Sequence, residues 1–264
     1  MPFERVKEVG TAPKFVRSIV AFAAGLTLSG CTSFQPGTEI VSAGEYRIHI
    51  ISDYYAKAYL VESPNGLILV DTGAQGNAGK ILKEARRVAH KELKLIFITH
   101  AHFDHYASAK AIRTETGAPI CVHEKDADFM SEGLTPIPKV RKWGYFMRAI
   151  YPVHELFRPT PKTKPDILAA DGLNLDRFCL KARIVHLPGH TPGSSILLLD
   201  ERFAFVGDLL ASRGSIHLQN LYADNWGQIE ESFNQLKELH PEWIFPGHGR
   251  PFAGALLERI KAKP

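Results

Sequence analysis

The sequence predicts an α/β protein in which two β-sheets pack face to face and helices cover their outer surfaces. Short β-rich apolar runs alternate along the chain with segments that have helical spacing. This alternation occurs in both halves of the chain, so each half predicts a sheet with covering helices. With 264 residues and 45% hydrophobic side chains, the chain has the size and composition of one globular domain.

The first half predicts four strands and two helices. The strands are short apolar runs separated by turn residues such as Pro64-Asn65-Gly66, at 46–51, 58–62, 67–70 and 93–99. The helices are segments with apolar side chains at helical intervals, at 77–91 and from His105 to about Thr116.

The second half repeats this organisation. Strands are predicted near 178–186, 195–200, 202–207 and 243–245, and helices at 226–239 and near 253–262. Asp224 or Asn225 is expected to cap the first of these helices. The domain is predicted to span residues 45–264.

Residues 124–177 form an irregular insert in this domain. The segment holds several prolines and a dense set of large side chains, including Trp143, Tyr145, Phe146 and Met147. Two interpretations stay open. The insert is either a small helical subdomain that covers a sheet or a lid that covers the substrate, with an adaptable apolar wall.

The N-terminus predicts an address for export. Lys14 and Arg17 precede an apolar stretch of about eleven residues, which is too short to span a membrane and matches a signal-peptide core. The stretch ends in Leu28-Ser29-Gly30-Cys31, which resembles the bacterial lipobox. This resemblance implies a signal peptide at 1–30, a lipid on Cys31 and a tether at 31–44. An ordinary secretory signal and a cytosolic protein are the alternatives.

The resemblance to lipoproteins also implies a location. Thr32, rather than Asp, follows the cysteine, which favours the outer membrane facing the periplasm in Gram-negative bacteria. Residues 1–30 hold four basic and two acidic residues, so the formal charge of +4 falls to +2 without them. This charge is too weak and too evenly spread to indicate nucleic-acid binding, and the expected partner is a small-molecule substrate. Cys121 and Cys179 lie in apolar runs and are interpreted as buried hydrophobic side chains, with a disulfide between them in an oxidising compartment as the alternative.

The strongest functional signal is Thr99-His100-Ala101-His102-Phe103-Asp104-His105, directly after a predicted buried strand. His100 and His102 are two residues apart in an extended segment, so their imidazoles point to the same side. Asp104 and His105 follow at the turn into a helix, where they can face a second ion. Buried histidines and aspartates are costly unless a metal or another partner compensates them.

Three further segments each end in a ligand-type side chain after a predicted strand. Leu187-Pro-Gly-His190 and Phe245-Pro-Gly-His248 place a histidine in a turn, and Phe205-Val-Gly-Asp208 places a carboxylate. Each segment alone is a weak signal. Their order after the first motif makes the combination strong.

Together these residues resemble the metallo-β-lactamase superfamily over roughly 45–260. The resemblance implies an αββα sandwich with the site at one sheet edge and two metal ions. By the family pattern one ion is held by His100, His102 and His190 and the other by Asp104, His105 and His248, with Asp208 bridging them. Asp71, in the Asp71-Thr72-Gly73 segment that the family also marks, is expected to hold a ligand imidazole or its loop.

Two divalent ions predict hydrolysis by an activated water. Imidazoles and carboxylates suit Zn²⁺, and also Fe or Mn where oxygen ligands are many. A pair of ions lowers the pKa of a bound water toward about 7 and polarises a carbonyl. Asp104 is expected to orient this water. Asp71 is expected to act indirectly, by holding a ligand imidazole or its loop. No Gly-x-Ser-x-Gly nucleophile motif occurs in the sequence.

The predicted reaction is the hydrolysis of an ester, thioester or lactone, as in hydroxyacylglutathione hydrolases and lactonases. By the resemblance, Asp208 argues against a true β-lactamase, and Ala211 argues against the quorum-lactone hydrolases, which often carry a tyrosine there. A β-lactamase, a phosphodiesterase, a non-hydrolytic oxidoreductase and a non-catalytic metal-binding protein are the alternatives.

Most of the other histidines are expected to have no role at the metals. Surface or strand positions are predicted for His49, His90, His154, His186 and His240. His123 follows a strand and His217 lies nine residues after Asp208, so a position near the pocket stays open for both.

Overall fold

The computed structural model describes residues 5–6, 38–88, 91–178 and 180–260. The predicted signal peptide, apart from Arg5–Val6, and the proposed lipid site at Cys31 lie outside these residues, as do His90 and Cys179. Within the described ranges, no helix is long and apolar enough to cross a membrane.

The described residues form sixteen strands, six α-helices and three 3₁₀ turns. In chain order they are β1 Arg5–Val6, β2 Thr38–Ala43, β3 Tyr46–Ser52, β4 Lys57–Ser63, β5 Gly66–Val70, β6 Leu93–Ile98, β7 Ile120–His123, β8 Lys139–Val140, β9 Ile167–Ala169, β10 Ala182–His186, β11 Ser195–Leu199, β12 Phe203–Ala211, β13 His217–Leu218, β14 Tyr222–Ala223, β15 Trp243–His248 and β16 Phe252–Ala253. The α-helices are α1 Ala78–Arg87, α2 Phe103–Tyr106, α3 Ala109–Thr116, α4 Ala127–Glu132, α5 Gly144–Phe157 and α6 Trp226–Glu238. Three 3₁₀ turns lie at Glu124–Asp126, Asp176–Phe178 and Gly254–Arg259.

Two large sheets contain most of the strands. The first has the order β1-β2-β3-β4-β5-β6-β7-β9, antiparallel up to β5 and parallel from β5 to β9. The second has the order β10-β11-β12-β15-β16, with β13 paired to β12. The small ladder of β8 and β14 links the insert to the second half of the chain.

The core has three layers because both faces of each sheet are covered. In β4, Tyr59 and Val61 point into the cluster between the sheets, whereas Ala58 and Leu60 point into the cluster under α1 and α3. A third apolar cluster packs the outer face of the second sheet against α6, which contributes Phe233. Alternating side chains on a strand face opposite sides, so these strands need apolar residues at every position. The predicted αββα sandwich is confirmed.

Several predicted boundaries differ from the structure. The tether predicted at 31–44 is too long, because Thr38–Ala43 forms a strand paired with β3 from Thr38↔Ile51 to Ala43↔Tyr46. The helix predicted at 105–116 is two helices, α2 and α3, and the segment near 253–262 is a 3₁₀ turn at Gly254–Arg259. The cap of α6 is Asn225, whose side-chain oxygen accepts a hydrogen bond from the Gly227 amide at 3.0 Å.

The insert at 124–177 belongs partly to the main fold. Its last strand, β9, pairs with β7 in the first sheet, and Met130 of α4 is fully buried in the outer core. The longer helix α5 contributes little to the core, because Gly144 is its only buried residue. A Cβ on Gly144 would lie 2.0 Å from the Leu221 carbonyl oxygen, so α5 packs closely against the second half at its first turn.

Candidate metal centre

Loops from both sheets meet at one edge of the sandwich and carry the predicted ligands. His100 and His102 follow β6 of the first sheet, and Asp104 and His105 lie in α2, which begins directly afterwards. The remaining three ligands come from the second sheet. They are His190 between β10 and β11, Asp208 within β12 and His248 at the end of β15. The structure therefore brings all seven predicted ligands together.

The first group consists of three buried imidazoles. Nδ1 of His102 lies 3.1 Å from Nε2 of His100 and 3.0 Å from Nε2 of His190, and the two Nε2 atoms are 3.2 Å apart. A tetrahedral zinc ion with Zn–N distances of about 2.0–2.1 Å separates its nitrogen ligands by about 3.3 Å. Three nitrogen atoms at this spacing fit one such ion.

The second group consists of Asp104, His105 and His248. Oδ2 of Asp104 lies 3.5 Å from Nε2 of His248 and 3.9 Å from Nε2 of His105. The ligand atoms of this group, like those of the first, all lie within 4.8 Å of one another. One carboxylate oxygen and two imidazole nitrogens form an ordinary ligand set for a divalent transition metal.

Asp208 lies between the two groups. Its Oδ1 is 3.2 Å from Nε2 of His105, and its Oδ2 is 3.2 Å from Nε2 of His248 and 3.5 Å from Nε2 of His190. The two carboxylate oxygens therefore face ligands from both groups. This is the position that a bridging carboxylate requires.

A distortion in β12 aims the Asp208 side chain at the site. The sequence predicted that this strand ends at Asp208, but it continues to Ala211. The parallel register with β15 shifts twice, between Phe205 and Gly207 and again between Gly207 and Ala211. Gly207 has φ +50°, and a Cβ there would lie 2.7 Å from Oγ1 of Thr99. A glycine is needed because the strand bends where it touches the first motif.

The second ring nitrogen of every ligand histidine contacts an oxygen outside the site. These contacts orient the rings and leave one nitrogen of each directed inward. The pairs are Nδ1 of His100 with Oγ1 of Thr99 at 3.0 Å, Nε2 of His102 with the Pro136 carbonyl at 2.7 Å, Nδ1 of His105 with Asp71 at 2.8 Å, Nδ1 of His190 with the Tyr222 carbonyl at 3.2 Å and Nδ1 of His248 with the Tyr55 carbonyl at 2.9 Å.

The Asp71-Thr72 segment holds both the ring and the backbone carbonyl of His105. The Asp71 carboxylate contacts the ring, and the amide and hydroxyl of Thr72 donate to the His105 carbonyl at 2.7 and 2.9 Å. Asp71 has φ +57°, the left-handed region that aspartate tolerates better than most residues. The predicted contact of Asp71 with a ligand imidazole is present in the structure.

Asp126 is a supporting residue that the sequence analysis missed. Its buried carboxylate accepts hydrogen bonds from the Ala101 amide at 2.8 Å, the Thr191 hydroxyl at 2.7 Å and the Gly193 amide at 2.7 Å. It therefore joins the His100–His102 loop to the loop that carries His190. The one available sequence signal was that Asp126 lies three residues after the end of β7 at His123. This position does not reveal its partners.

The charges of the site favour a bound cation. Burial, together with the neighbouring imidazoles, lowers the pKa of His100 well below 6.5 and that of His190 to about 3. Burial likewise lowers the pKa of His102. These three rings are therefore neutral at pH 7, with lone pairs that converge on one point.

The second group shows the opposite shift. Burial opposes protonation of His105 and His248, but the nearby carboxylates, Asp208 above all, outweigh it and raise the pKa of both rings. Burial also disfavours the charge of Asp208, yet His248 and His105 bring its pKa well below 3.8. The carboxylates thus hold protons on these rings, and a metal ion would displace those protons.

Two buried polar atoms at the centre form no well-aligned hydrogen bond, although they lie 3.2 Å apart. They are Nε2 of His105 and Oδ1 of Asp208, both of which face the shared space between the groups. An unsatisfied buried donor or acceptor destabilises a folded protein by about 1–3 kcal/mol. A metal ion ligated by both atoms removes this cost, so the donor set fits two divalent ions.

Other histidines lie apart from these groups. His123 and His186 stack on each other at 3.9 Å between ring centroids, and His217 lies in β13. Among the described residues, none of the three belongs to a set that could hold a metal. His154, predicted at the surface or in a strand, lies in α5, where its ring packs on Phe103 at 4.8 Å.

The chain is similar to known proteins in sequence and in fold. "Probable metallo-hydrolase YflN" of Bacillus subtilis is 25% identical over 250 residues, which cover 84% of this chain and 92% of that protein. The fold is similar to the crystal structure of the B3 metallo-β-lactamase BLEG-1, with a TM-score of 0.63 and 23% identity over 80% of this chain and 94% of that chain.

A second solved structure carries metal at its site. It is TTHA1623 in a di-iron-bound form, with a TM-score of 0.60 and 26% identity over 80% of this chain and 96% of that chain. The model of the metallo-beta-lactamase superfamily matches residues 51–248, which include all seven ligand residues. The chain is therefore a member of the metallo-beta-lactamase superfamily, with a donor set for two metal ions.

Proposed function

We propose that this protein is a two-metal hydrolase that cleaves an ester, a thioester or a lactone. One observation carries the proposal. Asp208 lies within 3.2–3.5 Å of His105, His248 and His190, so its carboxylate is shared between the two ligand groups. Such a carboxylate would hold two ions close together, and paired ions of this kind support hydrolysis.

When bound, the ions would lower the pKa of water toward about 7 and polarise the substrate carbonyl. The chain's own residues would prepare this chemistry. Oδ2 of Asp104 is 3.5 Å from His248 and faces the same space as Asp208, so it can accept a hydrogen bond from the attacking water and orient it. The oxygens that contact the outer ring nitrogens of the five histidines would keep the ligands from turning as charge develops.

We infer the substrate class from the ligand set. An Asp208 that contacts three ligand imidazoles supports the thioesterase and lactonase branch of the family resemblance over the β-lactamase branch. The similarity to BLEG-1, at 23% identity, supports the fold and not its activity. The relative named a metallo-hydrolase supports hydrolysis in general terms.

We assign zinc as the first candidate for both ions, because histidine nitrogens dominate the ligand set. Iron is the second candidate, since TTHA1623, at 26% identity, has a di-iron form. Carboxylate oxygens from Asp104 and Asp208 also permit manganese.

The test is metal analysis of the purified protein together with a panel of hydrolysis assays. We expect two ions per chain, loss of turnover with a chelator and recovery when metal is added. Activity should be highest on esters, thioesters or lactones, with a phosphodiester and a cephalosporin as comparison substrates. One ion per chain with full activity would refute the two-metal mechanism, and a preference for the cephalosporin would refute the substrate class.

The proposed location is the periplasmic side of the outer membrane, with a lipid on Cys31. The lipobox-like Leu28-Ser29-Gly30-Cys31 supports this proposal. Cys31→Ser should leave an uncleaved precursor or a soluble form, whereas the wild type should show the mass of an attached diacylglycerol. Equal membrane retention of both proteins, without a lipid mass on the wild type, would contradict it.

A further inference from the structure

Helix α5 exposes large apolar side chains to solvent. Leu156 and Phe157 are each 78% exposed, and Trp143, just before the helix, is 73% exposed. At about 100° per residue, all of the exposed apolar side chains of the helix except Met147 fall on one arc opposite Tyr151. They are Tyr145, Phe146, Ile150, Val153, Leu156 and Phe157. No charged residue lies on this arc, which is the reverse of an ordinary surface helix.

The opposite side of the helix holds it beside the metal centre. Phe103 lies between His102 and Asp104 in the chain. Its ring packs on the rings of Tyr151 and His154, with 5.8 and 4.8 Å between ring centroids. Tyr55, whose carbonyl contacts His248, also meets His154, at 6.2 Å. The apolar face of α5 therefore points away from the protein at the same edge as the metal ligands.

The chain segment that contains this apolar face is rich in basic residues, of which Lys162 pairs with Glu132 at 3.0 Å. The segment 139–164 contains seven lysines and arginines and a single acidic residue, Glu155. The Glu155 carboxylate is occupied, because it accepts hydrogen bonds from the Tyr151 hydroxyl at 2.8 Å and the Thr160 hydroxyl at 3.0 Å. An exposed apolar helix with flanking positive charges has the composition that binds the interface of an anionic membrane.

The path of the chain places the same edge near the proposed lipid anchor. Thr38 pairs with Ile51 at the end of β3, and β3 leads directly into the loop that carries Tyr55. Cys31 lies seven positions before Thr38, a reach of at most about 25 Å. This step rests on the proposed lipidation, and a lipid on Cys31 would hold this edge of the domain close to the bilayer.

We propose that the exposed face of α5 docks on an anionic phospholipid bilayer. The face consists of Trp143 and the six apolar residues of the arc. Docking buries these side chains among the lipid headgroups and upper acyl chains, while the basic flanks contact phosphate groups. The metal centre then opens beside the bilayer, where amphiphilic ester or thioester substrates concentrate.

The test uses the full chain bound to vesicles, with Trp143 as the probe. Vesicles of equal parts phosphatidylglycerol and phosphatidylethanolamine are compared with vesicles of phosphatidylcholine, each with and without brominated acyl chains. Subtracting the emission of Trp143→Phe isolates Trp143. We expect a blue shift and quenching by brominated lipid in the anionic vesicles, and weaker quenching in phosphatidylcholine or at high salt.

Leu156→Asp and Leu168→Asp form a matched pair, because both leucines are exposed and only Leu156 lies on the docking face. Leu156→Asp should lower the equilibrium constant for insertion of Trp143 into the bilayer, read from quenching by brominated lipid, by about tenfold or more. This is the effect of losing one buried leucine and adding a charge. Leu168→Asp should behave like the wild type. Equal circular dichroism spectra show that both variants fold.

Three outcomes would overturn the proposal. The first is an unshifted and unquenched Trp143 in anionic vesicles, whether or not the N-terminus holds the protein there. The second is equal quenching in Leu156→Asp. The third is a dimer in vesicle-free solution that Leu156→Asp abolishes, which would assign the face to a second copy. None of these measurements needs turnover or metal, so failure of the proposed reaction would leave the result readable.

Discussion

The Asp71 carboxylate contacts Nδ1 of His105 at 2.8 Å, and both side chains are buried. The same carboxylate accepts hydrogen bonds from the amide and hydroxyl of Thr99 at 2.8 and 2.9 Å. These contacts fix the orientation of the His105 ring with Nδ1–H directed at Asp71, so that Nε2 faces Asp208. Asp71 thus controls a metal ligand that lies 34 positions further along the chain.

Asp71→Asn should weaken metal binding without disturbing the loop. Asparagine tolerates the left-handed backbone at φ +57°, but its amide NH₂ cannot accept the proton of His105. We expect a 10–100-fold loss of affinity for one ion, the usual effect of removing an outer partner of a ligand histidine. Competition with a chromophoric chelator measures it. Glu84→Gln is the control, because buried Glu84 contacts the ring of His49 at 2.9 Å, a carboxylate–imidazole pair outside the metal centre. Equal affinity of Asp71→Asn and wild type would contradict this role.

Asp208→Asn should remove most activity and release at least one ion. The substitution keeps the shape of the side chain but removes the negative charge that faces His105 and His248. We expect at least about a 10²-fold loss of turnover. Elemental analysis and steady-state kinetics test this, with exposed Asp128→Asn as the control. A variant that keeps two ions and normal turnover would show that Asp208 does not bridge them.

Gly247→Ala should damage the metal centre by crowding alone. A Cβ on Gly247 would lie 2.6 Å from Cε1 of His105 and 2.7 Å from Oδ1 of Asp208. We expect loss of metal and activity with little change in secondary structure, measured by elemental analysis and circular dichroism. The control is Gly79→Ala in α1, where a Cβ meets no atom within 4 Å. That change should stabilise the protein by about 0.5–1 kcal/mol. Full metal content in Gly247→Ala would refute the prediction.

His123 should stay neutral in mildly acidic solution. Burial, aided by the positive charges of His186 and Lys125, lowers its pKa from 6.5 to about 4. The unfolded chain takes up this proton first, so the free energy of unfolding should fall as the pH drops from about 6.5 to 4. Between pH 7 and 5 the His123 contribution is about 2 kcal/mol.

This pH dependence can be assigned to one residue. NMR titration of the His123 ring gives its pKa directly, and urea unfolding of metal-free protein at pH 7 and 5 gives the change in stability. His123→Phe keeps an aromatic ring against His186 and should show a smaller pH dependence than the wild type. A His123 pKa near 6.5 would show that its burial does not shift the titration.

The sequence predicted the elements whose signals are local. The strands at 46–51, 58–62 and 67–70 and the helix at 226–239 appear within one or two residues of their predicted bounds. Alternating or continuous apolar runs and a capping asparagine are sufficient for these. Thr38–Ala43 was interpreted as a tether because Ser, Pro and Gly surround it, and its pairing with β3 depends on a partner strand rather than on its own composition.

Local spacing also predicted the metal ligands, because four of the seven lie within 100–105 and the others follow strands with Gly or Pro beside them. Local spacing did not predict the hydrogen-bond partners of these and other buried side chains. His49 is an example outside the site. Its strand position was predicted, but its ring lies buried between Glu84 at 2.9 Å and Glu62 at 3.2 Å, residues from a helix and a neighbouring strand.

The sequence by itself determined most strands and helices outside the insert and the seven candidate ligand residues that the structure brings together. Only the tertiary structure decided that Asp126 joins two ligand loops, that Gly207 bends β12 to aim Asp208, and that α5 turns its apolar face outward. The physical reason is the range of each signal. Propensity, periodicity and ligand spacing act over a few residues, whereas a hydrogen-bond partner or an exposed face depends on which distant segments approach.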